Sequence, residues 1–176
     1  MSIVFSLNLK KSKFASASNH ESQNGLSWDG ENGRACILIH GLTGTPYEMK
    51  FLATFLNKKG YAVICPRLAN HGAPMDVLKY TKWQSFYQSA RATLLEASQK
   101  YDKIFVAGLS MGALFSLLLA EEFPQLVAGV SCLSPTLFYD GWNTPKSKGL
   151  LPLAYATPLK HFVYFKEDPP YGIKNE

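Results

Sequence analysis

The chain has 176 residues, of which 47% are hydrophobic, 18% charged and 13% aromatic, and its formal net charge is +5. That length suffices for one domain with a sizeable core, and the composition fits a globular chain rather than a disordered one. The positive excess does not point to a nucleic-acid partner, because the lysines are scattered and their one cluster, Lys10, Lys11 and Lys13, lies near a terminus.

Residues 1–33 are weakly patterned. The amino terminus lacks a basic segment before its short apolar stretch and a small-residue cleavage site after it, so it is a poor secretory signal and a cytoplasmic location is expected. Residues 16–33 are rich in Ser, Asn and Gly and read as loop, with a short edge strand around Leu26–Trp28. From Arg34 the pattern sharpens. Ala35–Ile39 is a continuous apolar run, as in a parallel strand buried on both faces. After the loop His40–Gly44, Thr45, Pro46 and Glu48 read as a capping box opening a helix. Met49, Leu52, Ala53, Phe55 and Leu56 give that helix an apolar face, and Gly60 ends it. Tyr61–Cys65 is a second buried strand, and residues 67–81 read as a long loop. Trp83–Lys100 forms a helix with Trp83, Phe86, Tyr87, Ala90, Leu94 and Ala97 on one stripe. Strand Lys103–Ala107, helix Met111–Phe123 and strand Leu126–Leu133 follow. Strands alternating with helices in this way predict an α/β fold, a doubly wound and mostly parallel sheet. Ligands of such sheets bind beyond the carboxyl ends of the strands, so chemistry is expected in the loops that start at His40, Pro66, Gly108 and Ser134.

Cys36, Cys65 and Cys132 lie within apolar strand-like runs. Three cysteines without a CxxC spacing argue against a disulfide framework or a zinc site, and read as buried free thiols. Gly149–Phe165, the longest apolar region, is broken by Pro152, Pro158, Lys160 and His161, so it is not a membrane span.

Gly108-Leu109-Ser110-Met111-Gly112 matches G-x-S-x-G. Chance alone supplies this pattern in roughly one chain of this size in twenty, so its context matters more than its letters. It falls between a buried strand and a helix start, where a nucleophile elbow belongs. A serine on so sharp a turn is strained, and side chains larger than glycine two residues to either side would collide with the neighbouring strand and helix. Ser110 is thus the candidate nucleophile. Acyl transfer also needs two N–H donors aimed at the tetrahedral oxyanion. One is expected from Met111, after the nucleophile, and the other from Leu42, in the loop after the early strand. His40 reads as shaping that loop rather than as a catalytic group.

With these pieces in hand, the chain resembles the α/β-hydrolase superfamily, and more narrowly its bacterial carboxylesterase and monoacylglycerol-lipase-like branch. The matching segments are His40-Gly41-Leu42-Thr43-Gly44, Pro66 to Gly72, and Gly108 to Gly112, in that order. Asn70 departs from the pattern, standing where Gly often precedes His-Gly, and His71 reads as shaping its loop rather than as a base. The resemblance implies a serine hydrolase acting on lipid-like or small acyl esters, without cofactor or metal, and an Asp or Glu followed by a His along the chain after Ser110. Only 66 residues follow Ser110, and His161 is the one histidine among them. Ser110, Asp140 and His161 stand in the right order. A strand–helix–strand unit takes about 30 residues, however, and only 20 separate Asp140 from His161. The acid and histidine are therefore expected beyond residue 176, which makes the fold C-terminally incomplete. Residues 1–135 read as the N-terminal part of the hydrolase core and 136–176 as the start of a cap, rich in Tyr, Phe and Leu. A reading from another class is a non-catalytic module of the same fold that binds a ligand or partner.

Overall fold

A computed structural model describes residues 19–22, 25–137, 149, 150, 153 and 156–158. By internal contacts the chain divides into two units, Met1–Thr136 and Leu137–Glu176. The first contains a sheet of β1 (Asn19–Ser22), β2 (Gly25–Trp28), β3 (Arg34–Ile39), β4 (Ala62–Pro66), β5 (Lys103–Leu109) and β6 (Val127–Leu133). Its helices are α1 (Lys50–Asn57), α2 (Met75–Tyr80), α3 (Trp83–Ser98) and α4 (Met111–Glu122).

The sheet runs β1-β2-β4-β3-β5-β6. The pairs β4–β3, β3–β5 and β5–β6 are parallel, whereas β1–β2 and β2–β4 are antiparallel. The sheet is therefore mostly parallel, with an antiparallel hairpin on one flank. Sequence patterning missed β1 and placed the Leu26–Trp28 strand at the edge. β2 in fact lies inside the sheet, pairing Trp28 with both Asn19 and Val63. Segments of only four residues carry too little periodicity to separate a hairpin from a loop.

The central strand β3 shows why a parallel strand reads as an unbroken apolar run. Ala35, Ile37 and Ile39 face one core, with Phe86, Ala90 and Leu94 of α3 and Phe115 and Leu119 of α4. Cys36 and Leu38 face the other, with Met49 and Ala53. Alternate side chains point to opposite faces, and both faces are covered. β6 differs: among the described residues it is an edge strand, opposite β1, and it is half-exposed along its length despite its apolar sequence.

Three local expectations are corrected. The first helix opens with a 3-10 turn, Pro46–Met49, and the Thr45 side chain makes no capping hydrogen bond. The Glu48 carboxylate accepts the N–H of Gly41 instead, so the capping box does not form. Phe55 and Trp83, assigned to buried stripes, are each 54% exposed. The stripes that pack on the sheet are narrower than the apolar runs, being Leu52, Ala53 and Leu56 in α1 and Phe86, Tyr87, Ala90, Leu94 and Ala97 in α3. Residues 67–81 contain α2, a single short helix that Pro74 introduces.

Helices α3 and α4 are also tied by polar groups. Glu122 accepts from the Tyr87 hydroxyl at 2.6 Å and pairs with Arg91 Nε at 2.7 Å. Both contacts lower the Glu122 carboxyl below its ordinary range, the tyrosine hydrogen bond most. Among the described residues no helix is long and apolar enough to cross a membrane.

Candidate active site

β5 ends at Leu109 and α4 begins at Met111, which leaves Ser110 as a one-residue turn with φ 53° and ψ −113°. A non-glycine residue in that region costs about 1–3 kcal/mol and persists only where its surroundings over-determine it. Here they do. The Ser110 N–H donates to the Leu133 carbonyl at 2.9 Å, and the Ser110 carbonyl accepts from the Ala113 N–H at 3.0 Å. The flanking glycines are required by close approach. A Cβ on Gly108 would lie 2.0 Å from the Gly112 carbonyl oxygen, and one on Gly112 would lie 2.2 Å from that of Ile39. The strand, the helix and the next strand thus meet at this turn with no room for a methyl group.

The loop after β3 runs alongside. A Cβ built on Gly41 would lie 3.9 Å from the Ser110 Cβ, ordinary van der Waals contact. Buried His40 anchors this loop. Its Nδ1 donates to the Gly41 carbonyl at 2.9 Å, and its Nε2 accepts the Leu68 N–H at 3.2 Å. A carbonyl can only accept and an amide only donate, so these partners select the neutral Nδ1–H tautomer. Burial lowers the His40 pKa to about 4, with the charges of His71 and Arg67 adding to the effect and the Gly41 bond opposing it. His71 comes from the loop after β4. Its Nε2 meets the Leu42 carbonyl and its Nδ1 lies 3.2 Å from the Ala69 carbonyl. The His71 ring packs edge-on to His40 at 4.7 Å and to Phe86 at 4.8 Å. Asn70, the departure noted in the sequence, sits at φ 58°. Asn is among the few non-glycine residues that tolerate this left-handed conformation, so the turn survives the replacement.

Of the residues singled out from sequence, Ser110 and Met111 stand together at the elbow. Leu42 lies in the neighbouring loop, next to Gly41, with its side chain 52% exposed. Met111 is the first residue of α4, where backbone N–H groups have no intrahelical acceptor. Asp140 and His161 lie outside the described residues, as does most of the expected cap. Thr136 was missed: its hydroxyl lies 3.3 Å from that of Ser110. Its only signal in the sequence is a place in the loop that starts at Ser134, after β6.

Other groups stand apart from the elbow. A cavity of about 310 Å³ lies between β2, β4 and the end of α3, lined by Trp28, Cys65 and Tyr101 among others, and it includes no residue of the Ser110 turn. Burial raises the Cys36 thiol to about 11 and that of Cys65 to about 12, so both are held as unreactive thiols. Cys132 is only half-buried, in keeping with the exposure of β6. Among the described residues no group of three or more His, Cys, Asp or Glu is placed to hold a metal ion.

Comparison with known proteins gives this geometry a context. A thermostable monoacylglycerol lipase of Bacillus sp. (strain H-257) is 39% identical over 97 residues, which cover 54% of this chain and 39% of that protein. A carboxylesterase of Bacillus subtilis (strain 168) is 28% identical over 140 residues, covering 73% of this chain and 57% of that one. A solved structure belonging to LipS and LipT, two metagenome-derived lipolytic enzymes, superposes with a TM-score of 0.62 at 28% identity. That alignment covers 72% of this chain and 49% of the other, so the chain spans about half the length of the relatives it matches and carries part of their fold. The Alpha/beta hydrolase family matches residues 36–173. The match takes in most of the sheet and the Ser110 elbow, and the chain belongs to the alpha/beta hydrolase family.

Proposed function

We propose that this protein hydrolyses carboxylic esters through an acyl-enzyme on Ser110. The observation that carries the reading is a serine at φ 53° on a strand-to-helix turn, beside a loop in which a Cβ added at Gly41 would come within 3.9 Å of the Ser110 Cβ. Strain of this kind, maintained by two glycines that tolerate no side chain, is the geometry of an exposed nucleophile.

In the proposed cycle the Ser110 Oγ attacks the acyl carbon and gives its proton to a histidine. The N–H groups of Leu42 and Met111 hold the oxyanion, the alcohol departs with the proton, and water then releases the acid. Neither His40 nor His71 serves as that base. His40 commits Nε2 to the Leu68 N–H, and His71 spends its one ring N–H on the Leu42 carbonyl through Nε2, with Nδ1 turned into its own loop beside Ala69. The base and its carboxylate partner are contributed by chain downstream of β6. Lipid-like or small acyl esters are the substrates, a reading supported by relatives described as a monoacylglycerol lipase and a carboxylesterase.

The test is covalent labelling of the full-length protein with a fluorophosphonate, together with p-nitrophenyl ester hydrolysis. Wild type should label and turn over. Ser110→Ala should lose the label and several orders of magnitude in kcat, because the groups of a triad act as a unit. Undiminished labelling of Ser110→Ala would remove Ser110 from the mechanism, and an unlabelled, inactive wild type would favour the non-catalytic reading.

A further inference from the structure

In the reaction proposed above, Leu42 acts through its backbone N–H alone. A donor of that kind has no rotamer to adjust, so its aim depends on how the two peptide planes flanking Leu42 are held. The first plane contains the Gly41 carbonyl and the Leu42 N–H, which point in opposite directions across a trans peptide. Its carbonyl accepts from His40 Nδ1 at 2.9 Å and from the Gly44 N–H at 3.2 Å. The second plane begins with the Leu42 carbonyl, and His71 Nε2 holds that oxygen from a loop 29 residues away. The same ring packs edge-on against His40, so it also backs the group that sets the first plane.

We propose that His71 is a positioning residue that aims the Leu42 N–H at the oxyanion. The inference rests on the ester-hydrolase reading and deepens it. The ring is well placed for such a task. It is 3% exposed and packs against Phe86. Its own backbone carbonyl accepts from Arg67 at 3.3 Å, and its own N–H bonds to the Leu68 carbonyl at 3.0 Å. The two nitrogens have separable jobs. Nδ1 reaches only within its own turn, to Ala69, whereas Nε2 crosses to the oxyanion loop.

That division provides the test. An Asn amide reproduces the position of His Nδ1, and a Gln amide reproduces that of Nε2. In the full-length protein, kcat and KM for p-nitrophenyl butyrate and Ki for a trifluoromethyl ketone are measured for His71→Asn and His71→Gln, with thermal melting of each. His71→Asn should lower kcat about ten- to a hundredfold, somewhat less than outright removal of an oxyanion donor. Ki should rise in parallel, because the ketone forms a tetrahedral adduct, while KM changes little. His71→Gln should stay within a few-fold of wild type. Equal kcat for the two variants, or a rise in KM alone, would overturn the inference. If His71→Asn does not fold, His71→Phe keeps the ring packing without donors, and kcat equal to that of His71→Gln would overturn it likewise. A wild type that neither labels at Ser110 nor hydrolyses esters overturns the function itself, a result separable from any ranking of the His71 variants.

Discussion

The hydroxyls of Ser110 and Thr136 lie 3.3 Å apart, although 26 residues separate them in the chain. The chain touches the elbow twice here, through this contact from the loop after β6 and through the carbonyl of Leu133, the last residue of β6, which accepts the Ser110 N–H. Ser134, at φ 47°, turns the chain between the two. The main-chain bond holds the strained backbone, and the Thr136 hydroxyl lies within hydrogen-bond distance of the Ser110 side chain.

If the proposed ester hydrolysis holds, Thr136→Val should lower kcat/KM of the full-length protein roughly two- to tenfold, the worth of one neutral hydrogen bond. Thr136→Ser should retain most of the activity. Wild-type kcat/KM in the valine variant would show that Ser110 needs no such partner.

The backbone at Ser110 predicts that stability and activity oppose each other there. Ser110→Ala and Ser110→Gly should both abolish labelling, but the glycine variant should be the more stable in urea unfolding by about 1–2 kcal/mol. Strain relief at φ 53° outweighs the extra freedom of glycine in the unfolded chain. Equal midpoints and slopes for the two would mean that the turn is not strained.

Gly112 and Gly41 should respond differently to the same substitution. A Cβ on Gly112 would meet backbone at 2.2 Å, which neither β3 nor α4 can yield. Gly112→Ala should therefore cost about 3 kcal/mol or more, or prevent accumulation of folded protein. On Gly41 the nearest atom would be 3.7 Å away, so Gly41→Ala should fold normally. Thermal melting of both variants gives the comparison, and near-identical melting temperatures would contradict the packing described.

His40 links stability to pH. Its folded pKa of about 4 lies below the ordinary 6.5, so in that interval the unfolded chain binds a proton that the folded one refuses. Stability should be complete above about pH 6.5 and decline as the pH falls towards 4, by roughly 3 kcal/mol for this group over the whole interval. Chemical denaturation at pH 7.5 and pH 5 measures the slope, which His40→Gln should flatten. A wild-type protein that gains stability on acidification would contradict the sign.

What depends on neighbours along the chain was legible in the residues alone. Ala35–Ile39 reads as a doubly buried strand because every residue must be apolar when both faces are covered. Gly108 and Gly112 read as parts of an elbow because sterics at a one-residue turn act over two residues. What depends on register was set by the pairing of strands in three dimensions. Parallel pairing of β3 with β4 and β5, and of β5 with β6, brings the carboxyl ends of four strands to one edge. That pairing is what lets His71 reach the Leu42 carbonyl and Thr136 the Ser110 hydroxyl. It also put the Glu48 carboxylate on the Gly41 N–H of the neighbouring loop, where the sequence alone suggested a helix cap. Hydrophobic periodicity records which face of an element is buried, but not which polar atom waits on the neighbouring loop.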